Sequence, residues 1–341
     1  MEDNPQEVIK EKIKNEKGEI TFRKYIKSNP LGESEKNMYE FICSENKEKF
    51  TSKIIPKKIL LEDKKKQLIE ELKIQKSCHH PNIASILRYF EDTENVYICY
   101  EHCKNSSLKS LLNRRKKLTE LEVQCYLKQI INALKYLHRN RIIHRNLKLS
   151  NILLTEKMEL KLVGFNFSIK LKQDEEKVNL ICGTPNYIAP EIIEGKDGYS
   201  YEVDIWALGI IIYTLIIGKT PFNADNAKMV YEKIKNIEYT FPEDSIISND
   251  AKILISQILV KEPSERLSLD QILNHDFFKQ GSIPNLLPSS TLTSTPSLTY
   301  ISKFIPNVNK LGIVVNEELK APEIYVAKFL DYSNKYGLGY I

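Results

Sequence analysis

Apolar residues along this chain of 341 residues recur in two different periods, and the change falls near residue 105. Between 21 and 103, short runs rich in β-branched and aromatic residues predict strands, at 50–55 and 96–100. One amphipathic helix is predicted among them, over 61–76. From 107 onward helical spacing takes over, at 108–113, 120–139, 204–217, 227–235 and 251–259. The fold class expected is α+β, a small β-rich lobe followed by a larger α-helical one within one domain, 21–281. Residues 1–20 are rich in Lys and Glu and predict a poorly ordered polar tail. Residues 282–320 contain the run Leu287-Pro288-Ser289-Ser290-Thr291-Leu292-Thr293-Ser294-Thr295-Pro296 and are expected to be a Ser/Thr/Pro-rich linker, a passive tether. Residues 321–341 turn strand-like again.

The chemistry lies between the helices at 120–139 and 204–217. There His144-Arg145-Asn146-Leu147-Lys148-Leu149-Ser150-Asn151 resembles the catalytic loop of protein kinases, H-R-D-L-x-x-x-N. In that template the Asp accepts the substrate hydroxyl proton and the last Asn holds a metal ion. Asn146 stands where the Asp should be, while Asn151 matches the metal-binding Asn. The D-F-G triplet has a second departure: the stretch reads Leu162-Val163-Gly164-Phe165-Asn166, with Gly164 at the metal-binding Asp. Lys148 matches the lysine that contacts the transferred phosphate in Ser/Thr kinases.

The same resemblance gives a candidate nucleotide site. Lys53, at the end of a strand, takes the place of the phosphate-holding lysine. Glu71 best fits the helix phase of its ion-pair partner, with Glu70 the alternative. Glu101 and Cys103, after the strand at 96–100, complete the set together with Gly32. The glycine-rich loop should read G-x-G-x-x-G-x-V, so that backbone N–H groups can approach phosphates. Here it reads Gly32-Glu33-Ser34-Glu35-Lys36-Asn37-Met38-Tyr39, with one glycine and two carboxylates that would repel a triphosphate.

Several stretches narrow the resemblance. Cys182-Gly183-Thr184-Pro185-Asn186-Tyr187-Ile188-Ala189-Pro190-Glu191 is similar to the activation-segment ending of polo-like kinases. Tyr136-Leu137-His138-Arg139-Asn140-Arg141 and His275-Asp276-Phe277-Phe278 are similar to the same family. Lys328-Phe329-Leu330-Asp331-Tyr332-Ser333 resembles the opening strand of a polo box, with Phe329 at an aromatic position of its phosphopeptide groove. The resemblance covers 21–284 and resumes at 324–341. It implies a bilobal kinase fold, Ser/Thr specificity, ATP and Mg2+ as cofactors and mitotic roles. It also implies protein partners such as kinases or mitotic regulators, and a spindle-pole or centrosome association. Arg266 is placed to pair with Glu191 of A-P-E, and Asp204 and Trp206 match the buried helix that anchors the catalytic loop. Arg145 in the family pairs with a phosphorylated activation-loop residue. Leu180 stands where the activating Thr should be, and 169–180 contain no Ser, Thr or Tyr.

Composition adds exclusions. The net charge of +5 is spread widely, and Lys64-Lys65-Lys66 and Arg114-Arg115-Lys116-Lys117 read as solvated helix faces or helix ends rather than a nucleic-acid surface. The six cysteines lack C-x-x-C pairing and metal-ligand spacing, as reduced thiols do. The charged N-terminus is no signal peptide, and the apolar run 207–217 is too short to span a membrane. A cytoplasmic or nuclear protein is expected.

A positioned general base contributes on the order of 10²–10⁴ in rate, and Asn146 cannot supply one. Loss of a metal ligand costs roughly 10³ more, though the two losses will not simply add. The expected function is a polo-related pseudokinase acting as a scaffold or allosteric partner in cell-division signalling. Two alternatives are a weakly active kinase with rearranged metal ligands, with Asp174, Glu175 or Glu176 as stand-ins, and a degenerate or truncated copy.

Overall fold

The computed structural model describes residues 7–304 apart from 16, 32–36, 175, 196, 244 and 246, and apart from the side chain of 29. Gly32 and its loop, Glu175, and the polo-box-like segment with Phe329 therefore lie outside the described residues. The chain divides into two compact units, one of residues 1–110 with 149–170 and one of 111–148 with 171–341.

The first unit is built on a six-stranded antiparallel sheet in the order β1-β2-β3-β4-β6-β5. Its strands are β1 (Val8–Lys14), β2 (Ile20–Pro30), β3 (Met38–Cys43), β4 (Lys49–Pro56), β5 (Ile86–Glu91) and β6 (Asn95–Tyr100). Central β4 alternates a buried Phe50 with Thr51 and Ser52, equally buried, because neighbours cover both of its faces. Tyr25, Phe41, Phe50 and Tyr97 fill one side of the sheet. On the other, Ile55, Leu68, Ile98, Tyr100 and Val163 form a second cluster. Helix α1 (Glu62–Lys76) buries Leu68, Glu71, Ile74 and Gln75, a stripe at helical spacing. A short hairpin of β7 (Ile152–Leu154) and β8 (Leu160–Leu162) completes the unit.

Strand β1 corrects the expectation of a disordered tail over 1–20. Val8 to Lys14 pair residue by residue with Ile26 to Ile20. The alternation of Ile9 and Ile13 with lysines puts the isoleucines toward the core side, and Ile9 is buried. High lysine content masked a period of two.

The second unit is helical. Helix α2 (Leu108–Arg115) leads to α3 (Glu120–Arg139), opened by a capping box in which Thr119 and Glu122 bond each other's backbone N–H groups. Then follow α4 (Pro190–Glu194), α5 (Glu202–Ile217), α6 (Ala227–Lys235), α7 (Asn249–Ile258), α8 (Leu269–Leu273) and α9 (Leu298–Ile301). Helix α5 is apolar all round and buried from Val203 to Ile216, a core helix. No helix among the described residues is long and apolar enough to cross a membrane.

Residues 282–304 differ from the passive tether expected of their composition. Arg115, itself buried in a two-pronged ion pair with Glu122 (2.8 and 3.2 Å), donates to the Thr291 carbonyl. Arg114 donates to the Leu292 carbonyl, and Leu287 and Thr291 are buried. Arg114 and Arg115, the last-turn cations of α2, bind backbone carbonyls of the segment.

Candidate functional site

In the first unit, the extended backbone of β4 and the helix phase of α1 bring Lys53 and Glu71 together, Nζ to Oε1 at 3.2 Å. Glu71 is almost fully buried, so its carboxylate depends on this partner. Glu70, the alternative, is exposed and pairs with Lys73 at 2.7 Å. Tyr100 is buried at the end of β6, where burial and the charge of Glu71 drive its hydroxyl pKa well up.

Glu101 and Cys103 do not present side chains for a ligand. The Glu101 carboxylate accepts from the Ser85 backbone N–H (3.0 Å) and pairs with Lys161 (2.6 Å). The Cys103 thiol lies in the core, where burial pushes its pKa up to about 12. Its backbone N–H donates to Thr51 Oγ1 at 2.8 Å. Thr51 and Tyr100, cross-strand partners, are site residues that reading along the chain missed, because only the β4–β6 register joins them.

Asn151 and Gly164 meet in the same unit. Gly164 has φ +85°, and a Cβ built there would fall 2.8 Å from Asn151 Oδ1 and nearer still to its Nδ2 and Cγ. The Asn151 carboxamide therefore fills the room a side chain at 164 would need. Magnesium takes near-octahedral oxygen ligation, held by one or two carboxylates beside phosphates. An amide packed against a glycine is not that donor set, and the residues present do not fit the metal. After Gly164, a 3-10 turn over Phe165–Phe167 buries Phe165, and Gln67 of α1 donates to the Asn166 carbonyl.

In the second unit the catalytic-loop stretch is anchored by Asp204. Its carboxylate accepts from the backbone N–H groups of His144 (2.9 Å) and Arg145 (2.8 Å) and from His138 Nε2 (2.9 Å). Arg145 adopts φ +60°, a left-handed turn these two bonds hold in place. Lys148 Nζ donates to Thr184 Oγ1 (3.0 Å), whose hydroxyl donates to Asn146 Oδ1 (3.3 Å). Burial lowers the Lys148 ammonium pKa. The chain Lys148–Thr184–Asn146 is assembled, yet it ends in a carboxamide that cannot take a proton.

Arg145 turns toward Tyr199. Its Nη1 donates to the Tyr199 hydroxyl (3.0 Å), which donates on to the Leu180 carbonyl (2.5 Å). Tyr199 thus bridges the arginine to the position of the missing Thr, a role that no spacing signal along the chain announces. Asp174 pairs with Arg141 (3.0 Å) and Glu176 accepts from the Lys172 backbone N–H (2.5 Å), so neither stands ready as a substitute acid.

This combination of a strand lysine paired to a helix glutamate, the catalytic-loop stretch and the A-P-E helix is the apparatus of a kinase fold. The protein kinase domain family matches residues 25–278, and the chain belongs to that family. Its β-sheet unit and helical unit are the two lobes of that fold. Within the class it is a member of the polo-like serine/threonine kinases. It is 49% identical, over 93% of its length, to the maize (Zea mays) "Probable serine/threonine-protein kinase CCRP1" and covers 51% of that protein. It is 37% identical to "Serine/threonine-protein kinase PLK1" of Xenopus tropicalis over 94% of its own length and 64% of the relative's. For "Cell cycle serine/threonine-protein kinase CDC5/MSD2" of Saccharomyces cerevisiae the figures are 45%, 75% and 36%. The chain thus spans between about a third and two-thirds of the length of these curated relatives.

Proposed function

We propose that this polo-related chain has given up phosphoryl transfer and works as a binding scaffold or allosteric partner in cell-division signalling, through protein partners in cytoplasm or nucleus. The observation that carries the reading is Gly164 with the Asn151 carboxamide packed against it, an arrangement without a carboxylate at the metal-binding position. Asn146 at the proton-acceptor position and Tyr199 in place of a phosphate switch on Arg145 point the same way. By contrast, the bonds that hold the fold are all made: Lys53–Glu71, Asp204 to the catalytic-loop backbone, and Arg266–Glu191. Selection for a folded surface without chemistry would leave this pattern.

A second reading, a weakly active kinase, is favoured by one observation, the intact Lys53–Glu71 pair, which in kinases serves to hold ATP phosphates. Thermal unfolding with ATP, with and without magnesium, beside a Lys53→Met control, separates the two. The scaffold reading expects no magnesium-dependent stabilisation and no phosphate transfer to protein substrates. Magnesium-dependent stabilisation lost in Lys53→Met, together with phosphate transfer above the Lys53→Met background, overturns it.

A further inference from the structure

The outer face of the β1–β2 ribbon carries chemistry that the kinase apparatus does not use. In register it presents Val8 opposite Ile26, Lys10 opposite Lys24, Lys12 opposite Phe22 and Lys14 opposite Ile20. Val8, the four lysines, Ile20 and Phe22 are all exposed, Phe22 by 52%. The carboxylates of the ribbon are occupied elsewhere. Glu11 lies on the opposite face and accepts from Tyr25 (2.6 Å) and Arg23 (3.3 Å). Glu7 pairs with Lys27 (2.6 Å), and Glu19 accepts from Asn15 at the turn (2.7 Å). Among the described residues, Lys10, Lys12, Lys14 and Lys24 have no ion-pair partner.

That face is costly as it stands. Lys10 and Lys24 are direct cross-strand partners, with Cβ atoms roughly 4.5–5.5 Å apart in such pairs, and like charges so placed destabilise a sheet. Lysines do protect edge strands from pairing with other chains, and β1 is the outermost strand. Edge protection does not account for Lys24, which sits on a strand with neighbours on both sides. Nor does it account for Val8, Ile20 and Phe22, which make an edge more adhesive.

The occupant must answer both chemistries. An acidic peptide matches the ammonium groups but brings no apolar layer for three interleaved hydrophobic side chains. A nucleic acid offers phosphates, yet only one aromatic is present to stack on its bases. An anionic bilayer offers both at once: phosphate and carboxylate headgroups for the ammonium groups, and the acyl boundary for the apolar side chains, with the lysine stems lying between. The face is about 20 Å long, a seven-residue strand at ~3.3 Å per residue, and among the described residues no carboxylate occupies its positions in the two paired strands. We propose that the β1–β2 ribbon is a peripheral docking face for an anionic lipid surface.

The test is co-sedimentation of the full chain with phosphatidylcholine vesicles, with and without phosphatidylserine. Binding is expected only to the phosphatidylserine vesicles, and salt should weaken it. Each lysine near such a surface strengthens partitioning about fivefold, so Lys10→Glu with Lys24→Ala should lower binding about twentyfold or more. Phe22→Ser should weaken binding at every salt concentration, because it removes the apolar contribution. Thermal unfolding guards against a folding artefact, since the double substitution removes the Lys10–Lys24 repulsion and should hold or raise Tm while binding falls. Equal sedimentation with both vesicle types, or binding unchanged by the lysine substitutions, overturns the proposal. So does capture by poly-glutamate without any binding to vesicles, which would assign the face to an acidic peptide.

Discussion

The carboxamide of Asn151 occupies the space that a β-carbon on Gly164 would enter, with Oδ1 2.8 Å from the ideal Cβ position. Only one of these two positions departs from the kinase template: Gly164 stands where a metal-binding Asp is expected, and Asn151, which matches the template, closes over the gap. The backbone adds a second barrier, since φ of +85° at 164 is strained for any residue with a side chain. Gly164→Asp should therefore lower stability by about 1–3 kcal/mol and leave the protein without magnesium-dependent stabilisation by ATP. Denaturant unfolding and a nucleotide titration check the two parts. A stable Gly164→Asp protein that binds magnesium would mean that Asn151 swings aside at little cost.

Restoring the proton acceptor alone should also fail. Asn146 accepts from Thr184, and Thr184 in turn from Lys148, so Asn146→Asp keeps these bonds and adds a base. A base is worth roughly 10²–10⁴ only when the phosphates it works beside are held and neutralised. Asn146→Asp should leave phosphate transfer at background, and any gain should require Gly164→Asp in addition. Radiolabel transfer to a generic protein substrate is the measurement, and recovery by the single substitution would show that the metal position had never limited the reaction.

All three guanidinium nitrogens of Arg266 donate hydrogen bonds within the helical unit. Its two Nη atoms meet the Glu191 oxygens at 2.7 Å each, and it also donates to the carbonyls of Glu202, Val260 and Lys261. Its guanidinium lies 5.1 Å from the centre of the Trp206 ring. Arg266→Ala strands a largely buried carboxylate and three carbonyls and should cost about 3–5 kcal/mol. Arg266→Lys should recover only part of that, because an ammonium cannot reproduce the planar fork. Urea unfolding of both variants decides the matter; an Arg266→Lys protein as stable as the parent would reduce the role to charge alone.

Much of this was readable along the chain, and the failures have physical causes. Helices 120–139 and 227–235 fall at their predicted bounds because apolar spacing and caps agree there. Glu71 rather than Glu70 follows from helix phase, as only one of two adjacent residues can face the sheet. Strand β1 was missed because lysines alternate with its isoleucines, and composition outweighed period. Thr51, Tyr100 and Tyr199 were missed because each acts through a residue brought near by folding, which spacing does not encode. The packing of 282–304 was missed for the complementary reason: its anchors, Arg114 and Arg115, lie far earlier in the chain and bind backbone carbonyls, which leave no side-chain signature. Arg115→Ala should accordingly loosen that segment, with faster proteolysis within 282–304 than in the parent; unchanged cleavage would leave the ion pair with Glu122 as its sole role.

Asp204 carries the acid sensitivity of the catalytic-loop stretch. Burial alone would raise its pKa, but the hydrogen bond and charge of His138, with the charge and backbone N–H of His144, outweigh it and hold the carboxyl below the ordinary value. A carboxyl whose folded pKa lies below its unfolded pKa contributes stability that is present above the unfolded value, ~3.9, and disappears as pH falls through the folded one. In Asp204→Asn the amide keeps one accepting oxygen and turns an NH₂ toward a backbone or imidazole donor, so a bond to a charged acceptor is lost. The expected cost at neutral pH is about 1.5–3 kcal/mol. The two proteins should then converge as the medium is acidified below pH ~4, since the parent alone loses the contribution there. Thermal unfolding of parent and variant across that range is the check. Curves that stay parallel in acid would mean the Asp204 carboxyl titrates with the same pKa in the folded and unfolded states.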